Sequence, residues 1–399
     1  MIIVGVFWGV ILISVTVFLI LCPGKRRSIL LLISSLLLVL IVSETVLRIY
    51  YPQIRNEKKG FEYNKLLGWT QGPNKKLYIS LTGDGISRLI ETNSYGFRDD
   101  EFVVKGNEKR IMVLGDSFVS NYAVDKKDVF TEVMESRMKN TTVMNLGVNA
   151  YSNVQEYLLL KQMIYELKPD LIVLMIYIRN DFYENTGVDF GTSLRPGAVL
   201  NENTSEVILL PTPDFQSIGT SEKSFWRIYR KSHLYQLLTK RLRQLQYNLE
   251  RARQTIYRPT KDIPPELYLC RKELTAEVKY LYKLMEQLLL MIAKFADEHN
   301  TQIVFVVAPS MVQVEDELWL SILETYKERS EDYDISQPNK GLVKFAKNNS
   351  LHMLDLLPYL RLEYAKGIAL YNRKEQHWNE AGNLMVANAL INYLSAEMK

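Results

Sequence analysis

Short apolar runs follow Lys109 at regular intervals, each separated from the next by a stretch with helical spacing. Runs of this length, bounded by turn residues and rich in β-branched side chains, read as buried strands. The candidate strands are 110–115, 142–147, 170–177, 302–308 and 351–355. Helices are predicted at 153–167 and 272–299, and the second carries Leu281, Leu284, Leu288, Ile292 and Phe295 as an apolar stripe. A last helix, at about 380–396, turns Val386, Leu390, Ile391 and Leu394 inward. Alternation of this kind predicts a three-layer α/β/α fold with a mainly parallel five-stranded sheet.

The first strand candidate ends Ile111-Met-Val-Leu-Gly-Asp116-Ser117. A serine beyond the carboxyl end of a buried strand lies where open α/β sheets place their chemistry. With Ser117 as the helix cap, the adjoining N-terminus would offer N–H groups to a developing oxyanion. A serine hydroxyl needs a base within hydrogen-bond reach. Of the four histidines, His233 and His299 lie in helix-like stretches and His352 starts a strand. His377 sits in a loop before the last helix, which makes it the candidate base. Taken singly, Ser117 reads as a helix cap, Asn180-Asp181 as a turn and His377 as a ring stacked on Trp378.

Asn145-Leu-Gly147-Val-Asn149 follows the second strand, Asn180-Asp181 the third, and Glu375-Gln-His377-Trp-Asn379 comes near the end. The order Ser, Gly, Asn, His resembles the SGNH (GDSL-type) esterase and lipase superfamily, over roughly residues 90 to 399. The resemblance implies an SGNH/flavodoxin-like sheet. It also implies an oxyanion hole made by the Ser117 N–H, the Gly147 N–H and the Asn180 side-chain amide, with Asp116 and Asp181 in support. Two positions depart from the pattern. The aspartate expected three residues before the histidine is Lys374, and a glycine before Asn180-Asp181 is Ile178. The carboxylate-x-His-Trp block resembles that of the alginate O-acetylation proteins and relatives, and makes Glu375 the group expected to orient His377. Glu380 and a Ser-His dyad held by a backbone carbonyl are the alternatives.

The chain begins with a charge-free stretch, 1–22, then Lys25-Arg26-Arg27, then a second Leu-rich run to about Leu47 that contains Glu44. Each approaches the ~20 apolar residues that cross a bilayer. A transmembrane hairpin over 1–50 with its basic loop in the cytoplasm places the rest outside the inner membrane, in the periplasm or beyond. Basic residues after Leu47 weigh against that orientation, and a cleaved signal peptide is the rival for the first stretch. A lead-in segment, 51–106, expected to pack on the hydrolase-like domain, is rich in turn residues and contains Asn93-Ser-Tyr-Gly-Phe-Arg98-Asp, which resembles a segment of membrane-anchored bacterial members of the superfamily and is expected to be a packed surface turn. The hydrolase-like domain spans 107–399, with an insertion at about 184–270. That insertion holds a basic stretch with Leu234, Leu238, Leu242, Leu245 and Leu249 on one face: a solvated cap, or a contact with anionic lipid or polysaccharide.

A net charge of +4 is too small to suggest a nucleic-acid partner, and two distant cysteines make neither a disulfide framework nor a metal site. No cofactor is expected. The partners expected are the lipid bilayer and an ester or glycan substrate. The sequence therefore predicts a membrane-tethered, extracytoplasmic serine esterase acting through an acyl-enzyme on acyl esters, such as O-acetyl groups, of cell-surface glycan or on a small ester. An O-acetyltransferase with the same residues and a catalytically silent glycan-binding module remain the alternatives.

Overall fold

A computed structural model describes residues 25–50, 61–79, 88–103, 106, 108–187, 195–212, 232–235, 237–238 and 263–397. The chain divides into two compact units, 1–56 with 216–255, and 57–215 with 256–399.

The second unit contains the sheet. Its strands are β1 (Lys109–Leu114), β2 (Thr141–Asn145), β3 (Leu171–Tyr177), β4 (Gln302–Ala308) and β5 (His352–Asp355), in the order β2-β1-β3-β4-β5. Every pairing is parallel. The run Leu-Ile-Val-Leu-Met-Ile-Tyr of β3 is buried at every position, because strands flank it and helices cover both its faces. The edge strands β2 and β5 are only partly buried. Strand order reverses between β1 and β3, and the crevice beyond their carboxyl ends is where such sheets hold ligands.

The helices used below are α1 (Ser117–Ser120), α2 (Phe130–Arg137), α3 (Asn153–Leu167), α4 (Asp181–Glu184), α5 (Ala276–Glu298), α6 (Gln337–Asn348), α7 (Leu357–Tyr364) and α8 (Glu380–Glu397). One core packs α3, α4, α5 and α6 against the sheet, and the other packs α2, α7 and α8. In α5 the expected stripe faces inward: Leu281, Leu284, Leu288 and Ile292 are buried, and Phe295 packs at the margin. Thr275 caps that helix by accepting the Val278 N–H. A reciprocal box of Ser152 and Gln155 caps α3. In α8, Val386, Leu390 and Leu394 are buried and Ile391 lies beside them.

The lead-in is more structured than its turn residues suggest. It forms two antiparallel pairs, Phe61–Asn64 with Gly68–Gln71 and Lys76–Ile79 with Arg88–Glu91. The turn at Asn93 is not a surface feature. Asn93, Phe97 and Arg98 are buried, and Asn93 Oδ1 accepts the Tyr95 and Phe97 N–H groups. The described part of the insertion contributes a hairpin, Gly197–Leu200 with Val207–Leu210, whose Leu200 N–H donates to Tyr280 on α5.

In the first unit, the helix Lys25–Tyr50 exposes Leu36, Leu38, Val39, Leu40 and Val42. Glu44 accepts hydrogen bonds from Ser232 Oγ and from the His233 and Leu234 N–H groups at 2.8–3.0 Å, which caps the turn that starts there. Among the described residues no helix is long and apolar enough to cross a membrane. The charge-free part of this one, Ser28–Ser43, would span about 24 Å at ~1.5 Å per residue, against ~30 Å of hydrocarbon. The first apolar stretch and most of the basic insertion, Leu242, Leu245 and Leu249 included, lie outside the described residues.

Candidate active site

Ser117 stands one residue after the turn that ends β1. The cap of α1 is Asp116 rather than the expected serine: its Oδ1 accepts the Phe118 N–H at 2.8 Å, leaving Ser117 as the first helical residue. An N-terminal helical residue has no intrahelical acceptor for its N–H. Among the described residues the Ser117 N–H is unengaged. Glycine is obligatory at two flanking positions. A Cβ on Gly115 would overlap Val119, and one on Gly147 would overlap the Ser120 nitrogen.

His377 Nε2 lies 2.8 Å from Ser117 Oγ, across 260 residues of sequence. A tight hairpin delivers it. Tyr371 and Trp378 bridge, the Asn372 N–H donates to the His377 carbonyl at 2.8 Å, and the Gln376 N–H donates to the Asn372 carbonyl at 2.7 Å. Asn121, the C-cap of α1, donates its amide to the Trp378 carbonyl at 3.0 Å and so ties the Ser117 turn to the histidine hairpin. Buried Asn383 on α8 donates to the same carbonyl. Phe118 packs against His377 and Trp378, with ring centroids 5.0 and 4.8 Å apart. Burial among these rings pushes the imidazole pKa down to about 4, opposed by the Glu375 backbone carbonyl. The ring is therefore neutral at pH 7 and Nε2 can accept a proton.

Glu375 does not occupy the place expected of it. His377 Nδ1 has no hydrogen-bond partner, so the Glu375 carboxylate does not hold it. What Glu375 offers the ring is its backbone carbonyl, near enough to favour the imidazolium but outside hydrogen-bond geometry. Between the two residues Gln376 adopts left-handed backbone, φ 61°, a tight turn that the i−2 spacing alone does not reveal.

The expected oxyanion donors are differently placed. The Gly147 N–H donates to Asn145 Oδ1 at 3.0 Å. In the same loop the left-handed residue is Ala150, φ 62°, and Asn149 accepts from Ser120 Oγ. Asn180 Nδ2 donates to Asp116 Oδ2 at 3.2 Å and to Glu184 Oε2 at 3.1 Å. Those carboxylates belong to a buried network. Asp181 accepts the Tyr177 N–H at 2.7 Å and the Asn153 amide at 3.2 Å, and Asn153 also donates to Glu156 at 2.9 Å. Arg195 pairs with Glu184 at 2.7 Å while its guanidinium lies over the Trp69 ring. Burial raises the Asp116 carboxyl to about 6, and it pushes Asp181 and Glu156 well above the usual carboxylate range, each reinforced by acidic neighbours. Asp116 thus caps α1, and Asp181 is a buried acceptor.

Two lead-in residues support the site in ways that their turn-rich surroundings in the sequence did not reveal. Arg98, from the lead-in, is buried and donates to the carbonyls of Ser120, Asn121 and Val124, which clamps the chain just after α1. Trp69 donates to the Asn149 carbonyl at 3.2 Å. Among the described residues no group of His, Cys, Asp and Glu side chains could hold a metal ion.

No protein-family model matches the chain, and no curated protein matches it. Similar solved structures include a lipolytic protein of the G-D-S-L family from Veillonella parvula DSM 2008. It is 12% identical at a TM-score of 0.39, over 72% of this chain and 99% of that one. An acetyl xylan esterase, AlAXEase, is 11% identical at a TM-score of 0.38, over 71% and 98%. A catalytic mutant of an acetylxylan esterase from Geobacillus stearothermophilus is 11% identical at a TM-score of 0.36, over 74% and 98%. At these scores and identities the likenesses carry no weight for the activity, which rests on the side-chain geometry above.

Proposed function

We propose that this chain is a serine esterase of the SGNH type in which Ser117 is the nucleophile and His377 the general base. The observation that carries the reading is the 2.8 Å contact between Ser117 Oγ and His377 Nε2 beyond the carboxyl ends of a parallel sheet. Ser117 Oγ attacks the ester carbonyl while its proton passes to His377 Nε2. The tetrahedral oxyanion takes the free Ser117 N–H and recruits the Asn180 amide from its carboxylate partners. The imidazolium returns the proton to the leaving alkoxide, and an acyl-enzyme remains. Water, or a sugar hydroxyl, then attacks it with His377 again as base. Because no side chain holds Nδ1, the pair works as a dyad.

In its finer form the proposal makes the enzyme membrane-tethered and extracytoplasmic, acting on acyl esters, such as O-acetyl groups, of cell-surface glycan. The apolar surface of Lys25–Tyr50 supports the tether. Acyl transfer to polysaccharide uses the same residues. The engaged Gly147 and Asn180 donors favour a second reading, a catalytically silent glycan-binding module.

A fluorophosphonate probe separates these readings. Stoichiometric labelling of the full chain, lost in Ser117→Ala, is the expected result. Folded protein that stays unlabelled leaves the binding module. For location, a reporter fused after Lys399 should be active only outside the cytoplasm, and cytoplasmic activity would overturn the tethered, outward-facing form.

A further inference from the structure

Arg179 occupies the step between Ile178 and Asn180, where the chain leaves β3 for the site. Its Nη1 donates to Gln376 Oε1 at 2.7 Å, which links the loop bearing Asn180 to the hairpin bearing His377. That bond is the only hydrogen bond Arg179 makes among the described residues. The nearest charge is Glu266, with Oε1 3.8 Å from Nη1. At that separation an ion pair attracts without sharing a proton. Glu266 is fully buried and neither of its oxygens accepts a hydrogen bond, so it holds the guanidinium loosely from behind. The Arg179 side chain remains 31% exposed.

The result is a permanent cation hydrogen-bonded to the residue before His377 and next in sequence to Asn180. A guanidinium has five N–H donors in a planar fork, and a neutral amide oxygen uses one of them here. The unused donors match a carboxylate, which a fork binds through paired charge-assisted bonds. Phe118 stacks on Tyr177, two residues before Arg179, and on His377, with centroids 4.1 and 5.0 Å apart, so one ring joins the end of β3 to the histidine.

We propose that Arg179 is a specificity residue that binds a carboxylate group carried by the ester substrate of Ser117. The inference rests on the esterase reading above. Its chemistry is that of an acidic ester: an acylated sugar acid if the charge lies on the alcohol side, or a dicarboxylic half-ester if it lies on the acyl side.

Two pairs of esters test it with the full chain in detergent. Para-acetoxybenzoate against its methyl ester places the charge on the alcohol side. Para-nitrophenyl hemisuccinate against para-nitrophenyl butyrate places it on the acyl side. The readout is the ratio of kcat/KM for charged over neutral ester, which cancels losses of folded protein. In one of the pairs the ratio should be about tenfold or more, the scale of a hydrogen bond to a charged group. Arg179→Gln should lower it about tenfold, and Arg179→Lys should keep part of it. Gln376→Ala removes the tether but leaves the cation, so the ratio should persist. An enzyme that is labelled at Ser117 and turns over neutral esters, yet shows no charged preference, overturns the subsite alone. So does a preference that survives Arg179→Gln. A wild-type chain inert to all the esters and unlabelled at Ser117 overturns the esterase reading and the subsite with it.

Discussion

His377 Nε2 meets Ser117 Oγ at 2.8 Å, whereas the Asn180 amide meets the carboxylates of Asp116 and Glu184 at 3.2 and 3.1 Å. On the proposed reading, the histidine side is assembled for proton transfer before substrate arrives. Its ring is packed on Phe118, and its hairpin is tied to α1 through Asn121. The Asn180 side is satisfied internally, by acceptors that carry charge. A neutral ester carbonyl competes poorly with a carboxylate for an amide proton, but an oxyanion competes well. Both bonds are long for charge-assisted contacts, which lowers the cost of releasing or sharing the amide. The donor would then be recruited mainly as charge develops, and interactions stronger in the transition state than in the ground state accelerate chemistry.

The comparison can be broken most sharply at Ser117. Ser117→Ala should reduce ester turnover by about 10⁴ or more with an unchanged circular dichroism spectrum, since only a half-buried hydroxyl is lost. Turnover near the wild-type rate would move the chemistry elsewhere in the chain. Asn180→Ala should cost about a hundredfold in kcat with little change in KM, the scale of one oxyanion donor engaged late. If kcat holds, Asn180 serves only to bridge Asp116 and Glu184.

A smaller effect lies in pH. The acid limb of kcat/KM should fall with an apparent pKa near 4, below the ordinary 6.5, because burial disfavours the imidazolium. The same shift affects stability. Between about pH 6.5 and 4 the unfolded chain binds a proton that folded His377 refuses, so its contribution turns against folding as pH falls through that window. Asp116, raised from 3.8 to about 6, acts in the opposite sense, and its contribution is lost as pH rises through 6. A limb near 6.5 in the rate profile would show that water reaches the ring. The smallest effect is expected from Glu375→Gln, about threefold or less in kcat, because the substitution keeps the backbone carbonyl that faces Nδ1. A large loss with normal folding would restore the carboxylate to the site and turn the dyad into a triad.

How much of this was legible in the sequence varies with distance along the chain. The α5 stripe from Leu281 to Ile292 and the wholly buried β3 are local periodicities, and their ends were placed to within a few residues. The pairing of Ser117 with His377 followed from motif order and residue chemistry. That the lead-in packs on the hydrolase-like domain was expected, but how deeply its turn is buried was not, because turn residues mark where a chain bends and not what then covers the bend. Asn93 through Arg98 is a turn, but α1 and its following loop lie over it. Glu375 was misplaced for a related reason. Spacing in sequence names the nearest acid, whereas the left-handed backbone at Gln376 decides which atoms of that acid meet the ring.

The sequence by itself determined the order of strands and helices, the serine beyond β1 and the histidine before α8, because side-chain periodicity and turn chemistry act over a few residues. Only the tertiary structure decided that Asp116 caps α1, that Asn180 is bound between two carboxylates and that Nδ1 lacks a side-chain partner. It also decided that Arg179 borders His377 through Gln376. Each of these depends on which polar group reaches a given donor first once the chain is packed. Buried donors and acceptors must find partners wherever packing leaves them, and those partners come from segments far apart in the sequence.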